Sequence, residues 1–310
     1  MPAARRGTGI IYAAMGANLA IAAAKFAAYG ASGSAALLSE GFHSVADTFN
    51  QVFLLLGVYL QHRPPTEEHP FGFGRERFFW SFCAAIFIFV GGAVASLYEG
   101  IQRWGHQPSA VAESHFWAYL TLAAAFLFEL ASWAVAVREI RHVAREERWG
   151  FLETVKRSKD PTIKTVLYED SVALTGVVVA AVGIWLSERT SEPRFDAAGS
   201  IVIGALLAIM AFVLAAQTRS LLLGEAASAE DRARIRRAIE RTPGIERVVE
   251  VLTVHIAPEQ VIVSGHVVMA PSLSGLDVAR RIEAAETAVR AAVPEVSKIF
   301  LEAEVPGRRE

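Results

Sequence analysis

Before about residue 222 the apolar residues gather in runs of twenty or more, broken by short polar connections. Beyond that point they recur at the shorter periods of small helices and strands. About 20 consecutive apolar residues cross a bilayer as a helix. Six such segments fit, at roughly residues 8–31, 36–60, 78–103, 115–138, 163–188 and 197–221. The connections "ASGSA" and "SERTSEPRFD" read as tight helical hairpins on one side of the bundle. The pattern therefore predicts a six-helix, all-α membrane domain over residues 1–222 and a soluble domain over residues 223–310.

In the soluble part, Ser228 and Asp231 have the spacing of a helix start, and Gly244 is placed to end that helix. Two runs rich in β-branched residues follow, "IERVVEVLTVHIA" and "QVIVSGHVVMA", with a Pro-containing turn between them. A second helical stretch, "SGLDVARRIEAAETAVRAAV", stops at Pro294, and "VSKIFLEAEV" supplies a third strand. The order α-β-β-α-β predicts a small two-layer, ferredoxin-like α+β domain. Between spans four and five, Trp149, Phe151, Leu152 and Val155 form an apolar subset of a charged connection, as in a helix lying along an interface. "KDPT" then reads as a helix start, with Asp160 as cap and Pro161 in the first turn.

Composition agrees with this division. Hydrophobic residues make up 53% of the chain and charged residues 20%, more apolar than an ordinary soluble domain. A net charge of −2, with no basic cluster interleaved with aromatics, argues against nucleic acid as a partner. The single cysteine, Cys83, excludes a disulfide framework and a CxxC zinc site. The N-terminal apolar stretch has the basic start of a signal peptide, but it is too long, carries Asn18 and Lys25, and leads directly into further spans. It is taken as a retained first helix. If six spans alternate, Arg63, Arg75, Arg77, Arg138, Arg141, Arg145 and Arg219 fall with Arg5 and Arg6 on one side, leaving only Arg103, Arg189 and Arg194 opposite. Both termini are therefore expected in the cytoplasm, with a bacterial inner membrane as the host.

The chemistry lies in "LLSEGFHSVADTFNQ". His43 and Asp47 are one helical turn apart on one face of span two, where an ionised group is costly unless paired or wetted. An imidazole and a carboxylate so placed can bind a divalent ion if acidic groups from another helix complete the shell. Span five offers Glu169 and Asp170 in "TVLYEDSVALTG". Adjacent residues point about 100° apart on a helix, so one of them faces span two directly. Side-chain direction favours Asp170 as ligand, with Glu169 a second ligand or a proton acceptor. The competing explanation is that these acids pair with Lys25 or an arginine to pack helices. Among the other polar positions, Asn18, Lys25, Asn50, Gln51 and Glu99 suit interhelical hydrogen bonds. Glu129 in span four suits either a proton relay or such a bond, Glu40 a vestibule, and Asp196 the cap of helix six.

These pieces, with "EEHPFGFGRER" after span two and "YEG" ending span three, resemble the cation diffusion facilitator family of divalent-metal/proton antiporters over nearly the whole chain. "KRSKDPTIKTVLYEDSVALTG" and "RFDAAGS" are similar to the subgroup around zinc transporter 9. The resemblance implies a homodimer that exports Zn2+ or a similar ion in exchange for H+, with His43 and Asp47 as ligands of the transported ion and no resident cofactor. Most of that family has His-x-x-x-Asp in helix five, whereas the histidine's place here is apolar when Asp170 takes the aspartate's. The more oxygen-rich shell admits Mn2+, Co2+ or Fe2+ as cargo. An accessory site after span two keeps Glu67, Glu68 and His69 but has Phe73 where a second histidine is usual. In the tail, His266 holds a frequent ligand position, while Leu301 and Ala303 replace expected ligands, so His266 and His255 read as ordinary strand residues.

Ligands that must lose protons to bind metal make metal and protons compete for the site, which is the basis of exchange. Enzyme readings find no support, since GxxxxGK[ST], HExxH and GxSxG are all missing. A membrane-embedded metal sensor would carry a strong binding cluster in the tail, and only scattered histidines occur there. An ion channel would pass current without proton coupling.

Overall fold

The computed structural model describes residues 2–104, 116–146, 149–157 and 161–304. Asp160, expected to cap helix five, lies outside the described residues. The chain forms two compact units, Met1–Val58 with Phe79–Thr218, and Tyr59–Phe78 with Arg219–Glu310.

The first unit is helical. α1 (Pro2–Ser32) and α2 (Ala35–Leu60) form the first hairpin. α3 (Glu76–Phe87) runs through a π-helical segment, Ile88–Val94, into α4 (Ala95–Trp104). α5 (Phe116–Glu146), the short α6 (Phe151–Arg157), α7 (Pro161–Thr190) and α8 (Arg194–Leu223) follow. A helix thus stands at each of the six apolar segments. Among the described residues, four stretches are long and apolar enough to cross a membrane: Glu76–Trp104, Phe116–Arg145, Leu167–Thr190 and Arg194–Leu223. α2 is more polar, because Glu40, His43, Asp47 and Asn50 lie along it, all buried. The alternation of chemistry within α2 is what positions the site.

Small residues set how closely these helices approach, as expected where lipid removes the hydrophobic drive between them. A Cβ at Gly100 of α4 would meet Ile201 Cγ1 at 2.6 Å, and one at Gly204 of α8 would meet the Leu97 backbone nitrogen at 2.8 Å. Ser200 Oγ crosses the same seam to the Ser96 carbonyl at 2.8 Å and lies 2.5 Å from Ser39 Oγ of α2. The apolar face of α6 buries Val155 against Val137 and Ile140 of α5 and Leu167 of α7. Leu152, counted above with that face, is 73% exposed.

Two expectations are overturned here. Asp196 does not cap its own helix: its carboxylate accepts from Ser34 Oγ at 2.6 Å and from the backbone nitrogens of Ala35 and Ala36 at 2.5 and 3.3 Å, capping α2 instead. The free N–H groups of α2 take the nearest anion, which the α7–α8 turn delivers. Glu40 is not a vestibule residue but is fully buried, with Lys25 Nζ 2.8 Å from its Oε2.

In the second unit, Ser228 Oγ accepts from the Asp231 nitrogen at 3.0 Å to start α9 (Ala229–Glu240). α9 stops at Glu240, and Gly244, at φ +95°, occupies the following turn rather than the helix end. β1 (Ile245–Ala257) and β2 (Gln260–Met269) are antiparallel, and α10 (Gly275–Ala292) carries the chain to β3 (Val296–Glu304), parallel to β2. The sheet order is β1-β2-β3. Ile235, Ile239, Ala285 and Val289 of the helices pack with Val261, Val263, Val267 and Ile299 of the strands. The loop between α2 and α3 belongs to this unit, with Lys298 Nζ 5.0 Å from the centre of the Phe71 ring.

Candidate metal centre

The residues at spacings of three and four on α2 form one buried polar stripe: Glu40, His43, Ser44, Asp47 and Asn50. Helical geometry puts them on one face. His43 Nδ1 lies 3.2 Å from Asp47 Oδ1, yet neither atom completes a hydrogen bond, and His43 Nε2 is also without a partner among the described residues.

Facing this stripe, α7 brings Glu169 and Asp170, both buried. The two adjacent acids diverge. Glu169 turns to α2, where Asn50 Nδ2 donates to its Oε2 and the Asp47 carboxyl comes within hydrogen-bonding range. Asp170 turns to α5, where Ser132 Oγ donates to its Oδ2 at 2.9 Å. Glu129 of α5 is buried and within electrostatic reach of Asp47, His43 and Asp170. Thus α2, α5 and α7 together enclose His43, Asp47, Asn50, Glu129, Glu169 and Asp170.

A cation would relieve two features of this cluster. First, Asp47 and Glu169 lie within electrostatic reach of one another, and two like-charged carboxylates brought close favour a shared proton or a positive ion between them. Second, Asp47 Oδ1, Glu169 Oε1, Asn50 Oδ1 and both His43 nitrogens are buried with no hydrogen-bond partner among the described residues. Orphaned buried polar atoms are costly and rare. Lys25, the nearest candidate for a purely structural ion pair, is bonded to Glu40 and Ser44 instead. Among the described residues no group of three or more His, Cys, Asp or Glu side chains is placed so that it could hold a metal ion.

Asn50 and Ser132 are the positions that the sequence reading underrated. Asn50 does make an interhelical bond, as its polar character suggested, but that bond holds a candidate ligand. Its spacing of three from Asp47 was the available signal. For Ser132, on another helix and far along the chain, no sequence signal exists.

The remaining candidates belong to the second unit. Glu67, Glu68 and His69 are exposed on the loop between α2 and α3, and the His69 ring packs on Phe73 at 4.5 Å between centroids. His266 of β2 places Nδ1 2.8 Å from Glu304 Oε1 on β3. His255 is buried on β1, with its backbone nitrogen donating to the Glu225 carbonyl.

Residues 11–223 match the family described as the cation efflux transmembrane domain, and residues 227–305 match the cation efflux protein cytoplasmic domain. The chain belongs to the cation efflux family. This is a family of transporters rather than enzymes, and its members are multi-pass integral membrane proteins. Over 227 residues the chain is 35% identical to the human (Homo sapiens) proton-coupled zinc antiporter SLC30A9, mitochondrial, covering 73% of this chain and 40% of that protein. It is 33% identical over 223 residues to metal tolerance protein C4 of Arabidopsis thaliana, covering 72% of this chain and 48% of that protein. The chain therefore spans less than half the length of these curated relatives. Among solved structures, a nickel form of the MamM CTD shares 20% identity over 27% of this chain and all of that one, with a TM-score of 0.24.

Proposed function

We propose that the chain is a secondary transporter that moves a divalent cation, foremost Zn2+, out of the cytoplasm in exchange for protons. His43, Asp47, Glu169 and Asp170 bind the ion. Residues 1–222 form the transport domain, and residues 223–310 join two copies as a homodimer whose ends face the cytoplasm. The observation that carries the reading is the set of unpartnered donor atoms on His43, Asp47 and Glu169, gathered from two helices in a buried, membrane-type bundle. The human relative named above as a proton-coupled zinc antiporter supports the cargo and the proton coupling.

Each residue has a role that follows from its chemistry. His43 supplies the nitrogen donor that a borderline-soft ion such as Zn2+ accepts, and the carboxylates supply charge. Asn50 holds Glu169 in place. Ser132 holds Asp170 at the edge of the site, where it joins when the ion draws the shell together. Protons and metal cannot occupy the same lone pairs, so each displaces the other. Alternating exposure of the site to the two sides then couples the two flows. Glu129, close to three of these groups, passes protons to them.

A shell with one nitrogen and several oxygens also fits Mn2+, Co2+ and Fe2+. Uptake of each metal into proteoliposomes under an imposed pH gradient tests the whole reading. Zn2+ uptake should collapse when the gradient is dissipated and should be lost in Asp47→Ala. Uptake that persists in that variant, or that ignores the gradient, would rule out this site or this coupling.

A further inference from the structure

Lys25 and Glu40 form the one fully buried Lys/Glu ion pair described in the helical unit, and the mechanism above does not use it. The pair lies on the α1–α2 seam. Phe26 seats α1 there, its ring against Gly41, where a Cβ would meet it at 2.9 Å. Lys25 Nζ is 2.8 Å from Glu40 Oε2 and 2.8 Å from Ser44 Oγ, so a cation already sits between two oxygen donors of α2. The other carboxylate oxygen, Glu40 Oε1, is buried, accepts no hydrogen bond among the described residues, and points across to α7. A Cβ at Gly176 would overlap it, so α7 leaves room for this oxygen only because residue 176 is glycine.

The spacing ties this oxygen to the metal centre. Glu40 precedes Asp47 by seven residues, and Gly176 follows Glu169 by seven. Seven residues are two turns, about 10 Å along a helix and nearly the same face. Glu40 and Gly176 therefore repeat, two turns nearer the α1–α2 hairpin, the facing arrangement of Asp47 and Glu169. Stability alone does not account for the pair, since apolar replacements of buried ion pairs are commonly neutral or stabilising.

We propose that Glu40 is a second cation station on the same path through the bundle, and that the Lys25 ammonium is its resident tethered cation, displaced by the cargo ion as it leaves. The proposal rests on the transport reading above for the identity of the cargo. Lys25 keeps the station from becoming a trap: it competes with the divalent ion for Glu40 Oε2 and Ser44 Oγ, so the ion binds there weakly and moves on. Glu40 Oε1 is the atom free to take the ion first.

Equilibrium dialysis of full-length protein in lipid nanodiscs, with Zn2+ alone, tests this. Wild type should hold one Zn2+ per protomer, Lys25→Met two, and Lys25→Met/Glu40→Gln one again. Lys25→Met/Asp47→Ala should keep one, which isolates the Glu40 station from the centre at Asp47. A single equivalent in Lys25→Met, or a second one that survives Glu40→Gln, would overturn the station. If wild type binds none while Lys25→Met binds one that Glu40→Gln removes, the station stands and the reading of the Asp47 centre fails. Should Lys25→Met not fold, the neutral pair Lys25→Met/Glu40→Gln still decides. Its Zn2+ transport rate should fall at least tenfold with one Zn2+ still bound, and a wild-type rate would overturn the proposal.

Discussion

At the scale of single residues, His43, Asp47 and Glu169 each carry buried polar atoms that have no hydrogen-bond partner among the described residues, the atoms proposed above to meet the ion. Removing a charge from this set should cost affinity more than fold. Asp47→Asn is expected to weaken Zn2+ binding at least a hundredfold, measured by competition with a fluorescent chelator, while the protein still elutes as a single species on size exclusion. Asn50→Ala should act differently. It leaves Glu169 Oε2 without its donor, and an unsatisfied buried acceptor costs about 1–3 kcal/mol. Its thermal midpoint in detergent should fall, and a wild-type midpoint would mean that another donor replaces the amide. The sequence made His43 and Asp47 legible because their spacing puts them on one face of one helix. It favoured Asp170 over Glu169 on side-chain direction alone, whereas in the structure Glu169 turns to α2 and Asp170 to α5, directions set by Asn50 and Ser132 on other helices.

At the scale of elements, the start of α2 depends on a residue 161 positions away, because Asp196 accepts the Ala35 nitrogen. Asp196→Ala should therefore destabilise α2, which carries the site, by about 0.5–2 kcal/mol, the usual cost of losing a cap. Ser34, bonded to the same carboxylate, should give no added loss when Ser34→Ala is combined with Asp196→Ala, since both act through one interaction. Additive losses in a denaturation series would separate the two. The α4–α8 seam is governed by volume. Gly204→Leu places a side chain against the Leu97 backbone, and the expected result is loss of folded monodisperse protein, read by size exclusion of a fluorescent fusion. Helix positions were readable from apolar run length. The π-helical interruption at Ile88–Val94 was not, because an extra backbone residue within a turn leaves no mark on hydropathy.

At the scale of the whole molecule, exchange requires that protons and metal exclude one another. Each proton displaced on binding should lower apparent metal affinity about tenfold per unit fall in pH. Zn2+ binding measured between pH 8 and pH 6 should therefore weaken steadily as pH falls, and Asp47→Asn should show a shallower slope. A pH-independent affinity would remove the basis for coupling. The tail carries the second prediction: a chain ending at residue 222 should run as a monomer where the full chain runs as a dimer, read by light scattering in detergent.

The sequence by itself determined the division into an apolar helical part and an α-β-β-α-β tail, because run length and residue period are local properties of the chain. It also determined that His43 and Asp47 share one face of α2, since four residues make about one turn of any helix. Tertiary structure alone decided which partner each buried polar group meets. Lys25 took Glu40 rather than the acids of α7, Asp196 took the end of α2 rather than its own helix, and Glu169 and Asp170 parted toward different neighbours. Such pairings follow from how helices distant in sequence pack, which depends on shape and on small residues such as Gly176 and Gly204. No local pattern encodes that packing.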